Sequence, residues 1–155
     1  SLVNNQVTFK SSKPSVAKVK NNILYAKDNG SYSLTVSLNS NPALSSTESY
    51  VMSGIKKPKA NITSVKSKKK KQITVSWKNN IKNVTGYEIK LSTSKKFTKK
   101  TTKTVTAKGK KVKSKKISKL KSKKTYYVRI RAYKNQSQGE KFYGKYSKTL
   151  KIKVK

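Results

Sequence analysis

The 155-residue chain has no cysteine, no histidine and only four acidic side chains. Without cysteine there can be neither a disulfide nor a thiolate metal site. Without histidine the usual general base and the commonest metal ligand are both missing. The four carboxylates, Asp28, Glu48, Glu88 and Glu140, stand far apart in sequence. They offer no neighbouring acid pair for proton transfer and no clustered oxygens for a hard cation. A serine nucleophile would need a lysine base in a desolvated pocket, and nothing singles one out among 38 lysines. The sequence therefore reads as non-enzymatic, with no catalytic residue, no cofactor and no metal. No apolar run approaches the roughly 20 residues a membrane helix needs. No signal-peptide pattern is present and the chain opens on Ser1, so it reads as a piece cut from a longer precursor.

Apolar residues are also scarce, at 32%. Low apolar content with high net charge is the signature of a disordered chain. Nine Tyr, three Phe and one Trp, with Val and Ile recurring at alternate positions, argue instead for a folded one. What the chain has in excess is lysine, and it is unevenly placed. Residues 56–155 hold 33 Lys and 2 Arg against Glu88 and Glu140, a net of +33. Residues 1–55 hold 5 Lys against Asp28 and Glu48, a net of +3. The step near Ile55 divides the chain into a nearly neutral unit, 1–55, and an intensely basic one, 56–155, that faces a polyanion.

Helix signals are nearly absent, and period-two alternation recurs throughout, which makes the chain all-β. In Thr125–Tyr133 the side chains of Tyr126, Val128, Ile130 and Ala132 fall on one face, and Tyr127, Arg129, Arg131 and Tyr133 on the other. Lys148–Lys155 repeats the pattern with Leu150, Ile152 and Val154 inward. Ile73, Val75 and Trp77 mark a third strand, and Tyr87, Ile89 and Leu91 a fourth. Such strands are half-buried and antiparallel, one face apolar and one wet. Asn79-Asn80, Lys108-Gly109-Lys110, Gln138-Gly139 and Gly144 supply turns or loosened connections between them. Short strands spaced by such turns predict a β-sandwich.

Four features in order carry a family resemblance: the strand Ile73-Thr-Val-Ser-Trp77, the strand Val84-Thr-Gly-Tyr-Glu-Ile-Lys-Leu91, Leu120 six residues before Tyr126, and the strand that follows Tyr126. Residues 58–155 resemble a fibronectin type III domain, a seven-stranded sandwich. The resemblance implies that Trp77 is its core tryptophan and that the Tyr126 hydroxyl bonds backbone near Leu120. Val7–Val19 and Gly30–Val36 resemble the middle and a later strand of a bacterial Ig-like group 2 domain, whose opening strands have no counterpart here. The expected fold is thus a tandem of Ig-like sandwiches, the first incomplete and left with an unpaired edge.

On that topology Lys90, Arg129, Arg131, Lys151 and Lys153 point outward from neighbouring strands and form one basic field, flanked by Tyr127 and Tyr133. These seven are the candidate polyanion-binding residues, the two tyrosines as stacking surfaces for sugars. Further lysine runs lie in the loops, at residues 66–71, 95–103 and 108–116. Glu88, on the same outer face, is expected to be exposed and to act as a structural counter-ion. An exposed Glu88 could not serve a Lys–Asn isopeptide crosslink, which needs a buried carboxylate beside the bond. Lysines are flexible point charges suited to sequence-blind attraction, whereas bidentate reading of bases uses arginine. Nucleic acid would therefore be held only non-specifically. The sequence reads as a spacer module of a bacterial secreted or cell-surface protein, retained by teichoic acid, another anionic polysaccharide or host glycans. Two alternatives stand beside it: an adhesin or immune-receptor ligand that binds a host protein, and a passive spacer of a larger extracellular enzyme.

Overall fold

Alternating apolar and polar side chains, with hardly a helical turn between them, build thirteen strands in the computed structural model, which describes residues 6–79 and 84–155. The chain divides into two compact units, Ser1–Lys56 and Lys57–Lys155. The first holds β1 (Val7–Ser11), β2 (Ala17–Lys20), β3 (Ile23–Ala26), β4 (Gly30–Leu38) and β5 (Ser45–Met52). Strands β1, β4 and β5 form one antiparallel sheet with β4 in the middle, and β2 and β3 pair as a separate hairpin. The β2–β3 turn is Asn21-Asn22, both at positive φ (50° and 56°), the two-residue geometry that follows the twist of paired strands. Its core is small: Val16, Ala17 and Tyr32, with Leu34 and Met52 against them. Strand β5 is mostly exposed, Val51 at 75%.

The second unit holds β6 (Ala60–Lys66), β7 (Ile73–Asn79), β8 (Gly86–Ser92), β9 (Thr102–Lys108), β10 (Ser114–Ile117), β11 (Thr125–Asn135), β12 (Lys141–Tyr143) and β13 (Leu150–Lys153). One sheet runs β10-β7-β6; the other runs β12-β11-β8-β9, with β13 also paired to β11. All pairings are antiparallel. The inward residues read from the sequence meet in one core, in which Ile73, Val75, Tyr87, Ile89, Leu91, Val128 and Ile130 have no exposed surface. Each such aliphatic side chain stabilises the fold by about 1.5–3 kcal/mol relative to exposure. Trp77, 2% exposed, packs tilted on Tyr87 with ring centroids 5.0 Å apart.

The corner before β11 is closed as the resemblance implies. The Tyr126 hydroxyl accepts a hydrogen bond from the backbone N–H of Lys121 at 3.1 Å, beside the buried Leu120. Of the turn expected at Asn79-Asn80, Asn79 is the last residue of β7, paired with Ala60, and Asn80 lies outside the described residues.

Three expectations need correction. Leu150, expected inward, is exposed: it starts β13 and lines an open groove of about 480 Å³ together with Ile62, Tyr146 and Lys148. Tyr133, expected on the wet face, is 3% exposed because its ring lies against Tyr143 and over Gly86. Gly144 does not loosen the last connection. It is buried, its N–H donates to Ala132 O at 2.9 Å, and a Cβ there would fall on the carbonyl of Pro58.

Candidate functional site

The outer face of the larger sheet collects the predicted basic residues by register. Lys151 lies beside Tyr127 and Tyr127 beside Ser92; Arg129 beside Lys90; Arg131 beside Glu88; Thr125 beside Lys153. Odd positions of β11 and β13 and even positions of β8 share that face because side chains alternate along a strand. Six of the seven candidates therefore come together there, and the seventh, Tyr133, is covered.

They are not equivalent. Lys151 and Lys153 are exposed, and Lys90 and Tyr127 are half-buried. The two arginines are enclosed by aromatic rings. The Arg129 guanidinium lies 4.0 Å from the centroid of Phe97 and 4.1 Å from that of Tyr146. Arg131 lies 3.6 Å from Tyr143 and 4.6 Å from Tyr146. The result is a stack of alternating rings and guanidiniums, Phe97, Arg129, Tyr146, Arg131, Tyr143, with Lys90 Nζ 5.6 Å from the Tyr146 ring. Each cation–π contact contributes about 0.5–1 kcal/mol at exposed sites and more once desolvated. The Arg129 Nε is buried without a hydrogen-bond partner among the described residues, so ring faces take the place of acceptors around it.

Glu88 is pinned within this stack rather than exposed. Arg131 Nε donates to Glu88 Oε1 at 2.8 Å, its Nη2 lies in ion-pair contact with the same oxygen at 2.8 Å, and the Tyr146 hydroxyl donates to that oxygen at 2.7 Å. Only 13% of its side chain is exposed. Burial pushes the Glu88 carboxyl upward, but the Tyr146 hydrogen bond and the charges of Arg131 and Lys90 outweigh it, and the net shift is below the ordinary carboxylate value. Burial, then the bond to Glu88, raises the Tyr146 phenol. Tyr143 is raised by burial and by the nearby carboxylate. This is a structural ion pair, as its role as a counter-ion implies, in a more enclosed setting than expected.

Nothing in the alternation pattern marks Phe97, Tyr143 or Tyr146 as partners of the arginines. Tyr143 pairs with Tyr133 and Leu150 with Val128, so seven steps of the last strand oppose five of β11. The two extra residues break that strand into β12 and β13. Between them the backbone stays anchored, Ser147 N–H to Ile130 O at 2.7 Å and Ile130 N–H to Ser147 Oγ at 3.1 Å. That anchored bulge leaves the Tyr146 ring over the outward side of β11, between the arginines. The one readable signal was the pair Arg129 and Arg131 on a single strand face, which calls for planar partners or acids. Exposed positive charge on this face thus belongs to Lys151 and Lys153, with Lys90 half-buried beside Tyr146, and the arginines hold the sheet's outer layer together.

Comparison with known proteins agrees with this architecture. The family model described as "Fibronectin type III domain" matches residues 56–145. The chain is similar to the chicken CNTN1 FN1–FN3 domains at 22% identity and a TM-score of 0.51, over 86% of this chain and 45% of that one. It is also similar to a structure described as a myokine (22% identity, TM-score 0.47, 63% of this chain and 95% of that one). A third similar structure is the fn3 domain of human collagen alpha-1(XX) chain (16% identity, TM-score 0.49, 66% and 89%). At these identities the likeness concerns the fold alone. No curated protein matches the chain in sequence. With the core tryptophan, the tyrosine corner and the sheet order in place, the chain belongs to the fibronectin type III family.

Proposed function

We propose that the chain is a module of a bacterial secreted or cell-surface protein, held by its basic unit at an anionic wall polymer or glycan and serving as a spacer. Fibronectin type III domains are a non-catalytic module type and are often binding modules of extracellular proteins. The observation that carries the finer reading is a charge count. Two carboxylates within residues 56–155 can neutralise at most two of 35 cations, and Glu88 is already occupied by Arg131. That leaves an excess of 33 positive charges over the carboxylates of residues 56–155, and self-repulsion of that size is relieved by a polyanion. Residues 1–55, at +3, contribute no such field; we take about residues 7–55 to be part of a bacterial Ig-like group 2 domain.

Retention of the intact chain on an immobilised anionic polysaccharide or teichoic acid, followed against salt, tests this. Expected is firm retention at low salt and elution well before 1 M, where charges more than about 3 Å apart are screened. Saturable binding that persists at high salt would instead favour a protein partner seated on an apolar patch. The exposed edge of β5 would be the first place to look for it.

A further inference from the structure

The lysines of the second unit crowd one end of the sandwich. Ser92, closing β8, lies beside Tyr127 near the start of β11 and beside Thr102 at the start of β9, and Thr125 lies beside Lys153. In the other sheet Ile73, opening β7, pairs with Ile117, closing β10. Three connections therefore meet at that end: residues 67–72, 93–101 and 118–124. Each carries four lysines, and Lys153 and Lys155 bring the total to fourteen, with no carboxylate in any of these segments. All fourteen are exposed.

This end is built on a fixed backbone. Lys71 N–H donates to Lys155 O at 2.8 Å, Leu120 N–H to Lys71 O at 3.0 Å, and Lys123 N–H to Val154 O at 2.8 Å. Ser122 Oγ donates to Lys155 O at 2.9 Å, and Lys103 Nζ to Ser118 O at 3.2 Å. Lys71, Lys119 and Lys123 sit at φ of 56°, 58° and 60°. That left-handed region suits glycine or asparagine, and for a long side chain it costs on the order of 1–2 kcal/mol per residue. Strain of this kind persists where the surroundings over-determine the backbone, and it gathers at functional sites. Lysine stands at all three positions, where glycine would relieve both the strain and the repulsion.

The chemistry of the occupant follows from what accompanies the lysines. The aromatic rings near this end are covered or half-buried: Tyr126 is buried, Phe97 is half-buried beneath Arg129, and Tyr127 is half-buried on the sheet face beside Ser92 and Lys151. None of the three connections offers a fully exposed ring as a stacking platform for bases or sugars. The unit's two arginines are enclosed by aromatic rings, Arg129 between Phe97 and Tyr146, so neither offers a free guanidinium for bidentate recognition and compact ammonium charges remain. We infer that the loop end formed by residues 67–72, 93–101 and 118–124 is the docking site for a linear phosphate polymer, a chain of phosphate or phosphodiester groups without stacking bases. The inference rests on the polyanion reading above and moves its centre from the sheet face to the loops.

The test uses the full chain and inorganic polyphosphate, with binding measured across a salt series. One variant carries Lys69→Gln, Lys70→Gln, Lys121→Gln and Lys124→Gln. A second, of equal charge change, carries Lys108→Gln, Lys110→Gln, Lys111→Gln and Lys113→Gln at the opposite end. Trp77 fluorescence verifies that both are folded. Since each lost phosphate contact removes about 0.7–0.9 from the slope of log affinity against log salt, the first variant should lose about three and the second less than one. At low salt the first should bind roughly tenfold more weakly or worse, the second within about threefold of the parent. Equal losses in the two variants would overturn the loop-end site while leaving the polyanion reading intact. A parent chain that fails to bind polyphosphate at low salt, yet is retained by sulfated glycan or by single-stranded DNA of matched charge, would overturn the phosphate assignment. Failure to bind any of the three would sink the polyanion reading as well.

Discussion

Glu88 shows how much one side chain can organise when acids are this rare. Its carboxylate holds Arg131 and Tyr146 together, and its folded value lies below that of an ordinary glutamate. A group with a depressed folded pKa stabilises the fold fully above its unfolded value, ordinarily 4.5, and ceases to do so as pH falls through the folded value. Stability should therefore be level from neutral pH down to about 5 and decline below about 4.5. Glu88→Gln should flatten that decline and lower stability at neutral pH by about 1–3 kcal/mol. Denaturant midpoints across the pH series measure both effects. A decline of unchanged size in the variant would show that another carboxylate drives it. The two adjacent tyrosines give a second test. Tyr126 accepts from the Lys121 N–H at the corner, whereas Tyr127 stands on the outer face. Tyr126→Phe should cost about 1 kcal/mol, since the part-buried Lys121 N–H loses its partner, and Tyr127→Phe close to nothing. Equal denaturation midpoints would contradict the corner.

At the scale of elements, strand identity was written in alternation and strand continuity was not. Tyr126, Val128, Ile130 and Ala132 announced β11 because an antiparallel strand with one wet face needs period two. The same rule set Leu150 on the inward face, where its pairing with Val128 keeps it, but missed its exposure, because a bulge of two residues between β12 and β13 leaves no trace in a local pattern. It misplaced Tyr133 for a related reason: the outer face is roofed there by Tyr143, which arrives from another strand. The candidate site was legible as a list of cations sharing a face and illegible as chemistry, since the rings that enclose Arg129 and Arg131 come from residues 97, 143 and 146. Gly144 belongs to that bulge. With Pro58 O where a side chain would go, Gly144→Ala must move the segment leading into β6 or the last connection. A loss of about 2 kcal/mol or more, read in thermal or chemical denaturation, is the expected outcome. A variant as stable as the parent would mean that the segment 144–149 yields easily. Trp77→Ala, by contrast, empties the centre of the core and should cost about 3–5 kcal/mol, enough to unfold a marginal unit. Red-shifted, solvent-exposed Trp77 fluorescence in the parent would contradict that placement.

For the whole molecule the governing fact is a net charge of +36 on 155 residues, of which +33 belongs to residues 56–155. Compact folding of so many like charges is offset by a core in which Ile73, Val75, Ile89, Leu91, Val128 and Ile130 are fully buried, and by an ion-paired, ring-stacked outer layer. Most of the lysines are exposed and stand outside that packing. The most direct measurement separates the two halves of the charge step. Residues 1–55 and residues 56–155, prepared separately and checked for folding by circular dichroism, are titrated with the same anionic polymer from low to physiological salt. The account predicts that the second fragment keeps the affinity of the intact chain, with a steep negative salt dependence from displaced counterions, and that the first fragment does not bind. Binding by residues 1–55, or salt-independent binding by residues 56–155, would contradict it.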